Sequence, residues 1–292
     1  MNQKSIFTYH YDICSGLQIY NMNNLIEKNK IANWDKFFVE LQSQGRYTFA
    51  FDELRGRFDL SEETLLQGLY RYKVKKQIAQ IRKGFYAIIS PEYSKQGMLP
   101  PYLFIDDLMK SLNKPYYVAL LSAAALNGAA HQQPMEYFVI AQTPAPRSIN
   151  SKKLKILFFS KNNWEQDDIV QKTTNAGYIN VSSPELTALD LLSYNEKIGL
   201  NRATTVLQEL AQVMKVSALS RTAKRFPSTP VIQRLGYIFD KVLGEKKLAE
   251  ALLKILNSRT VVPVLLSVQK EKQGEVDEIW KVIKNMEIES DL

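Results

Sequence analysis

The stretch Ser61-Glu-Glu-Thr-Leu-Leu-Gln-Gly-Leu-Tyr-Arg-Tyr-Lys-Val-Lys-Lys-Gln-Ile-Ala-Gln-Ile-Arg-Lys-Gly-Phe-Tyr-Ala-Ile-Ile89 decides how this chain is to be read. Ser61 can cap the free N–H groups of a helix that starts at Glu62 and Glu63. On that helix Leu65, Leu69 and Tyr72 share one face, while Thr64, Gln67 and Arg71 fall on the other at about 100° per residue. One face is built to pack and the other to be free. Gln77 to Ile81 and Phe85 to Ile89 then predict two strands, joined through Arg82, Lys83 and Gly84, where glycine permits a tight turn.

Upstream, Trp34, Phe37, Phe38 and Leu41 recur at helical intervals and Gly45 follows as a stop, which predicts a first helix over residues 34 to 44. Phe49, Phe51, Leu54 and Phe58 supply a short second helix. Three helices followed by a basic hairpin make a winged helix-turn-helix, a module that meets duplex DNA. Its charge agrees. No acidic residue stands between Thr64 and Pro91, whereas Arg71, Lys73, Lys75, Lys76, Arg82 and Lys83 all do. Such a run can also be a solvated face, but here it coincides with the helix and hairpin that would approach DNA. Ser61, Thr64, Gln67, Arg71, Lys75, Lys76, Arg82 and Lys83 are therefore the candidate DNA-binding residues. Glu62 and Glu63 count against contact unless they serve the helix dipole or accept from a cytosine amino group.

The 292 residues, 45% of them hydrophobic, suffice for two folded domains. The net charge of +8 divides evenly, with 14 Lys+Arg against 10 Asp+Glu in residues 1 to 95 and 24 against 20 in the remainder, so the shorter N-terminal part is denser in positive charge. That suits a polyanion. A lone cysteine, Cys14, excludes an internal disulfide or a cysteine-rich zinc site, and two distant histidines, His10 and His131, argue against a histidine metal centre. His131 follows the helix stop at Gly128 and is expected in a loop or packing role. No catalytic residue, metal site or cofactor is expected. No apolar run reaches a membrane span, and the polar, aromatic start is no signal peptide, so a cytoplasmic protein without membrane contact is expected.

Residues 1 to 30 form an N-terminal extension in which Phe7, Tyr9, Tyr11 and Ile13 alternate like a strand. The DNA-binding module spans 31 to 96. Gly97, Pro100 and Pro101 mark the boundary to a larger mixed domain, 97 to 292, giving an α+β chain overall. A helix is expected from Tyr116 to Asn127, strands at Glu136 to Gln142, Leu154 to Lys161 and Gly177 to Val181, and a helix from Pro184 to Tyr194 behind a Ser182/Glu185 capping box. Helices at 201 to 214, 216 to 225, 231 to 243 and 248 to 256 lead to strands at 261 to 267 and 278 to 284. This domain holds no P-loop, dinucleotide-binding glycine pattern, nucleophile elbow or His-Glu-x-x-His. Ser122 is expected to be a small packing residue, and Glu185 and Asp190 to cap or be solvated. Arg221, Lys224 and Arg225 could touch nucleic acid or merely match a helix end.

Five pieces in order resemble the AbiEi family: the wing ending Arg82-Lys-Gly-Phe-Tyr86, the run from Tyr116 to Ala125 with Gly128 after it, Ser183-Pro-Glu-Leu-Thr-Ala-Leu-Asp190, Gln233-Arg-Leu-Gly-Tyr237, and the closing Asn285 to Leu292. The resemblance implies an antitoxin and autorepressor of an AbiE type IV toxin–antitoxin system, associated with phage defence. The winged module would bind inverted repeats in its own promoter. The second domain would oppose a nucleotidyltransferase-class toxin, with no stable complex expected. Arg234, Tyr237, Asn285, Glu287 and Asp291 are the candidate antitoxin-surface residues. Two alternatives remain at this level. One is a nucleic-acid-processing enzyme docked by the winged module, which needs Glu185, Asp190, Glu287, Glu289 and Asp291 to converge around Mg²⁺. The other is a transcription factor sensing a small ligand in an apolar pocket.

Overall fold

The computed structural model of the chain describes residues 34–129 and 135–288. The alternating segment 7–13, His131, Glu289 and Asp291 lie outside them.

Helix α1 (residues 34–43) buries Trp34, Phe37, Phe38 and Leu41, the side chains that its spacing singles out. Phe49 does not begin the next helix. It lies in a short strand, β1 (Thr48–Ala50), and α2 (Phe51–Arg57) follows. The reason is local: Glu53 accepts from the Ala50 N–H at 2.8 Å, which fixes the helix start one residue after Ala50, and Arg46 clasps the same carboxylate with two bonds of 2.9 Å. Helix α3 (Glu62–Val74) starts where Ser61 Oγ accepts from the Thr64 N–H at 3.3 Å. It lies close on α1 because Gly68 has no side chain; a Cβ there would stand 2.6 Å from the Trp34 indole. Trp34 stacks between Phe58 and Tyr72, with ring centroids 5.3 and 5.5 Å away. Lys76, at φ 57, ends the helix in the left-handed conformation, and the Gln77 N–H returns to the Tyr72 carbonyl at 3.0 Å. Strands β2 (Ile78–Arg82) and β3 (Phe85–Ile88) form a hairpin whose turn uses Gly84 at φ 76. With β1 they make an antiparallel sheet in the order β1-β3-β2.

Side chains alternate along β3, and both of its faces are covered. Tyr86 and Ile88 join the aromatic core under α1 and α3, whereas Phe85, Ala87 and Ile89 turn the other way. There, with Ile81, they meet Leu99, Leu103, Phe104 and α4 (Ile105–Ser111). The segment bearing Gly97, Pro100 and Pro101 is thus no open linker. It folds into short 3-10 turns, and its apolar residues belong to a core that continues into the larger sheet. Thr48 Oγ1 adds a polar tie, donating to Asp107 at 2.5 Å.

Tyr116 to Asn127 splits into a strand, β4 (Tyr116–Val118), and a shorter helix, α5 (Leu120–Leu126). A helix would have spread the aromatic and β-branched residues Tyr116, Tyr117 and Val118 around one turn. As a strand they alternate, Tyr116 and Val118 facing the core shared with β3 and Tyr117 facing the helical block. Strands β5 (Tyr137–Gln142), β6 (Ile149–Asn150), β7 (Lys155–Lys161), β8 (Ile169–Thr174) and β9 (Gly177–Ser182) complete a mixed six-stranded sheet, ordered β6-β7-β5-β4-β9-β8. Sequence patterning misses β8, an edge strand whose Val170, Gln171 and Thr173 are exposed, because it has no apolar alternation to reveal it.

Helix α6 (Pro184–Ser193) is capped by Ser183, whose Oγ accepts from the Leu186 N–H at 3.2 Å, and not by Ser182. Ser182 ends β9 and bonds Thr187 instead. Helices α7 (Asn195–Ile198), α8 (Leu200–Ala211), α9 (Val216–Arg225), α10 (Thr229–Tyr237) and α11 (Lys246–Leu256) cover the sheet face opposite α4. A π turn over Ile238–Val242 extends α10. The closing strands are shorter than their sequence suggests: β10 (Val264–Leu265), β11 (Glu275–Val276) and β12 (Val282–Lys284) form a separate three-stranded sheet. Among the described residues no helix is long and apolar enough to cross a membrane.

Candidate functional site

The free face of α3 and the β2–β3 turn bring the sequence candidates onto the surface of the N-terminal module. Ser61, Thr64, Gln67, Arg71, Lys75, Lys76 and Lys83 are exposed. Lys73 is anchored toward the hairpin, its Nζ donating to Gln80 Oε1 at 3.1 Å, so the end of α3 and the β2–β3 hairpin form one basic ridge. Tyr72 is fixed from the other side, donating to Asp35 at 3.0 Å; burial and that carboxylate push its phenol up to about 12. Arg82 departs from the group. It is half-buried, and its enclosed Nη1 has no hydrogen-bond partner among the described residues. Glu62 lies 3.8 Å from Arg55, while Glu63 is held below the usual carboxylate range by its own backbone N–H and by Ser61. Both acids sit in the first turn of α3, where they favour the helix dipole. Helical spacing alone undervalues Leu66, Tyr70 and Val74. These project from the centre of the free face and are 48%, 67% and 62% exposed.

The larger sheet and its helical block place their polar residues differently. Asp190 is fully buried rather than solvated. Its Oδ1 accepts from Lys161 Nζ at 2.8 Å and its Oδ2 from the Tyr117 hydroxyl at 2.8 Å. Lys161 also donates to the Tyr117 oxygen at 3.2 Å and lies 5.1 Å from the Phe226 ring centre. Burial raises the Asp190 carboxyl above its ordinary value, opposed by the charge and hydrogen bond of Lys161. Burial and the facing Asp190 likewise hold the Tyr117 phenol well up. Next to this triad, Asp168 Oδ1 accepts from Thr222 at 2.6 Å and Arg225 at 3.0 Å. Lys161, Trp164, Asp168, Thr222, Arg225 and Phe226 line a cleft of about 430 Å³. Glu185 is also buried, and it accepts from the Lys215 N–H at 2.9 Å ahead of α9. These carboxylates are thus committed to separate partners, and among the described residues no three potential ligands gather to hold a metal ion. Lys161, a single cation ending an apolar strand, is the only sequence signal of the triad. Ser122 is buried and accepts from the Phe138 N–H at 3.0 Å, which ties α5 to β5.

The antitoxin-surface candidates separate into two groups. Tyr237, Asn285 and Glu287 line one groove of about 800 Å³ together with Lys241 and Lys284. Asn285 is also structural, since its amide donates to the Ser267 and Glu271 carbonyls at 2.7 and 2.9 Å. Arg234 lies elsewhere, half-buried, its Nε donating to the Leu265 carbonyl at 2.7 Å. Burial lowers the guanidinium from its ordinary value, and the charge of Glu196 works against that. Its neighbour Gln233 donates to the Val262 and Trp280 carbonyls at 2.9 and 3.0 Å, and Gly236 leaves the space that the Trp280 ring fills. Gln233, Arg234 and Gly236 together clamp the closing three-stranded sheet onto α10.

An α+β chain with a basic helix-and-hairpin surface and a mixed six-stranded sheet under a helical block is the class that this geometry defines. Residues 117–241 match the family described as AbiEi antitoxin C-terminal domain. The matched segment is less than half of the chain, and its likeness to an AbiEi antitoxin domain supports a role as an antitoxin. No curated protein is a match. Among solved structures, the chain is similar to the RV2827C protein from Mycobacterium tuberculosis, with a TM-score of 0.60 and 15% identity over 85% of this chain and 90% of that one. At that identity the likeness is one of fold. It also has a likeness to an antigenic nucleotidyltransferase-like protein from Paracoccidioides brasiliensis, with a TM-score of 0.30 and 12% identity over 53% and 85% of the two chains. That is too slight to bear on fold or activity.

Proposed function

We propose that the chain is a cytoplasmic, non-enzymatic antitoxin of a type IV system that also represses its own operon. In this reading residues 31–96 are a winged helix-turn-helix that binds inverted repeats in the promoter, with α3 in the major groove and the β2–β3 turn along the backbone. Residues 97–292 oppose a nucleotidyltransferase-class toxin without forming a stable complex with it, and the system serves phage defence. The observation that carries the DNA half is the single basic ridge made by the free face of α3 and the hairpin, across which no acidic residue falls from Thr64 to Pro91. The antitoxin half rests on the AbiEi domain.

The test separates positioning from base reading. Lys75, Lys76 and Lys83 stand where phosphates pass, so replacing any one by Ala is expected to weaken all duplexes alike and to reduce the log–log salt slope by about one unit. Gln67 and Arg71 can each make paired hydrogen bonds to a purine edge. Removing one is expected to cost about 1–3 kcal/mol on the promoter duplex and almost nothing on scrambled DNA. Titration of each variant against both duplexes at several salt concentrations decides it. An unchanged promoter-to-scrambled ratio for Gln67→Ala and Arg71→Ala removes α3 as the reader. Growth upon co-expression with the neighbouring toxin gene tests the antitoxin half separately.

A further inference from the structure

We propose that the apolar row Leu66, Tyr70 and Val74 on α3 reads the 5-methyl groups of thymines, so that the preferred duplex carries thymines at defined steps rather than purine contacts alone. This rests on the DNA-binding reading above and adds a specificity element to it. The row is not spare core. Leu65, Gly68, Leu69 and Tyr72 already fill the packed side of the helix, and Leu66, Tyr70 and Val74 are four residues apart on the opposite side. Residues at that spacing form one line along a helix. Gln67 and Arg71 lie beside it, so hydrogen-bonding and apolar groups alternate across the surface that a major groove would meet. The thymine methyl is the apolar feature that the groove offers.

Charge selects the occupant. A second copy of this chain docked on the same row would bring the five cations Arg71, Lys73, Lys75, Lys76 and Lys83, offset only by Glu62 and Glu63 in the first turn of α3, against a surface with the same excess of positive charge, whereas a polyanion is attracted by that excess. The geometry adds a spacing. Four residues of helix rise about 6 Å, and successive base pairs are about 3.4 Å apart, so neighbouring members of the row address bases roughly two steps apart.

The experiment uses the full chain and a duplex selected from a random 20-mer pool by repeated rounds of binding. That duplex is resynthesised with deoxyuridine replacing thymidine at one position at a time, which deletes a methyl group and leaves every hydrogen-bonding atom in place. The wild-type chain is expected to lose about fourfold in affinity at each contacted thymine. Leu66→Ala and Val74→Ala, substitutions at exposed helical sites by the strongest helix former, are each expected to bind the thymine and uracil versions equally at one contacted position, a different one for each variant, and to keep the discrimination at the others. A wild-type chain that ignores the substitution overturns the proposal, as do variants that weaken both versions to the same degree at every position. Self-association of the wild-type chain that Leu66→Ala abolishes assigns the row to a second copy and also overturns it. If no duplex is enriched, the DNA-binding reading itself falls, an outcome distinct from binding without methyl discrimination.

Discussion

Replacing Lys161 with Met leaves Asp190, which has no exposed surface, without its counter-charge. At the observed 2.8 Å separation and an effective dielectric constant of about 20, the attraction between the two charges is roughly 6 kcal/mol. The desolvation of Asp190 opposes it. Removing one partner of a buried pair typically costs about 3–5 kcal/mol, because the remaining charge stays enclosed. Part of the loss is recoverable by protonation, and this gives the experiment its sign. Burial already raises the Asp190 carboxyl, and losing Lys161 raises it further. A folded-state value above the unfolded one contributes stability that is fully present below the unfolded value, near pH 4, and is lost as pH rises through the folded value. Lys161→Met is therefore expected to be mildly destabilised near pH 4 and fully destabilised at pH 8. Adding Asp190→Asn, which keeps an acceptor for Tyr117, is expected to restore most of the difference. Urea midpoints at pH 4, 6 and 8 for the single and double variants measure this. A penalty under about 1 kcal/mol, or one that is the same at every pH, refutes the argument that Lys161 holds an ionised Asp190.

Gly236→Ala drives a methyl group into the Trp280 ring, so it is expected to cost at least about 1–3 kcal/mol and to red-shift tryptophan emission as Trp280 is displaced. Residues 97–292 expressed alone expose the core surface that Ile81, Phe85, Ala87 and Ile89 cover in the full chain. The fragment is expected to bind an apolar dye and to aggregate, and a monomeric fragment that melts like the full chain contradicts the shared core. Burial works to raise the Asp240 carboxyl, but hydrogen bonds from Lys246, Trp280 and Lys241 outweigh it and hold the group at about 2. Its contribution is present above the unfolded value, near 4, and fades as pH falls toward 2. Asp240→Asn is accordingly expected to flatten acid unfolding in that window, as followed by circular dichroism.

The elements legible in the sequence are those with a strong period and a local stop signal. Helix α1 shows itself through Trp34, Phe37, Phe38 and Leu41, α3 through its Ser61 cap, and α9 comes out over the expected residues Val216 to Arg225. The illegible parts depend on partners distant in the chain. Tyr116 to Val118 have alanines downstream that favour a helix, and only pairing with β5 and β9 makes them a strand. Asp190 looks like any acid on a helix until Lys161 and Tyr117, 29 and 73 positions away, close on it. That Ser61, Thr64, Gln67, Arg71, Lys75, Lys76 and Lys83 stand exposed was legible from helical and hairpin spacing, whereas the half-buried Arg82 was not. The outward row at 66, 70 and 74 was not, since apolar residues in a helix are ordinarily assigned to its packed face. Arg234 stands out in its motif, but the Leu265 carbonyl that it bonds lies 31 residues on and has no sequence signature.

Strand β3 is shared property: its odd-numbered side chains complete one core and its even-numbered side chains the other. A gene rearrangement that exchanged the N-terminal module for an unrelated one would strip a wall from the antitoxin domain unless the incoming hairpin presented apolar groups where Ile81, Phe85, Ala87 and Ile89 now stand. Shuffling whole modules is therefore a poor route to a new target for this architecture. Point substitution on the solvent side of α3, which touches neither core, is the open one, so lineages of this chain should diverge there while the hairpin's inner residues drift only among side chains of similar volume.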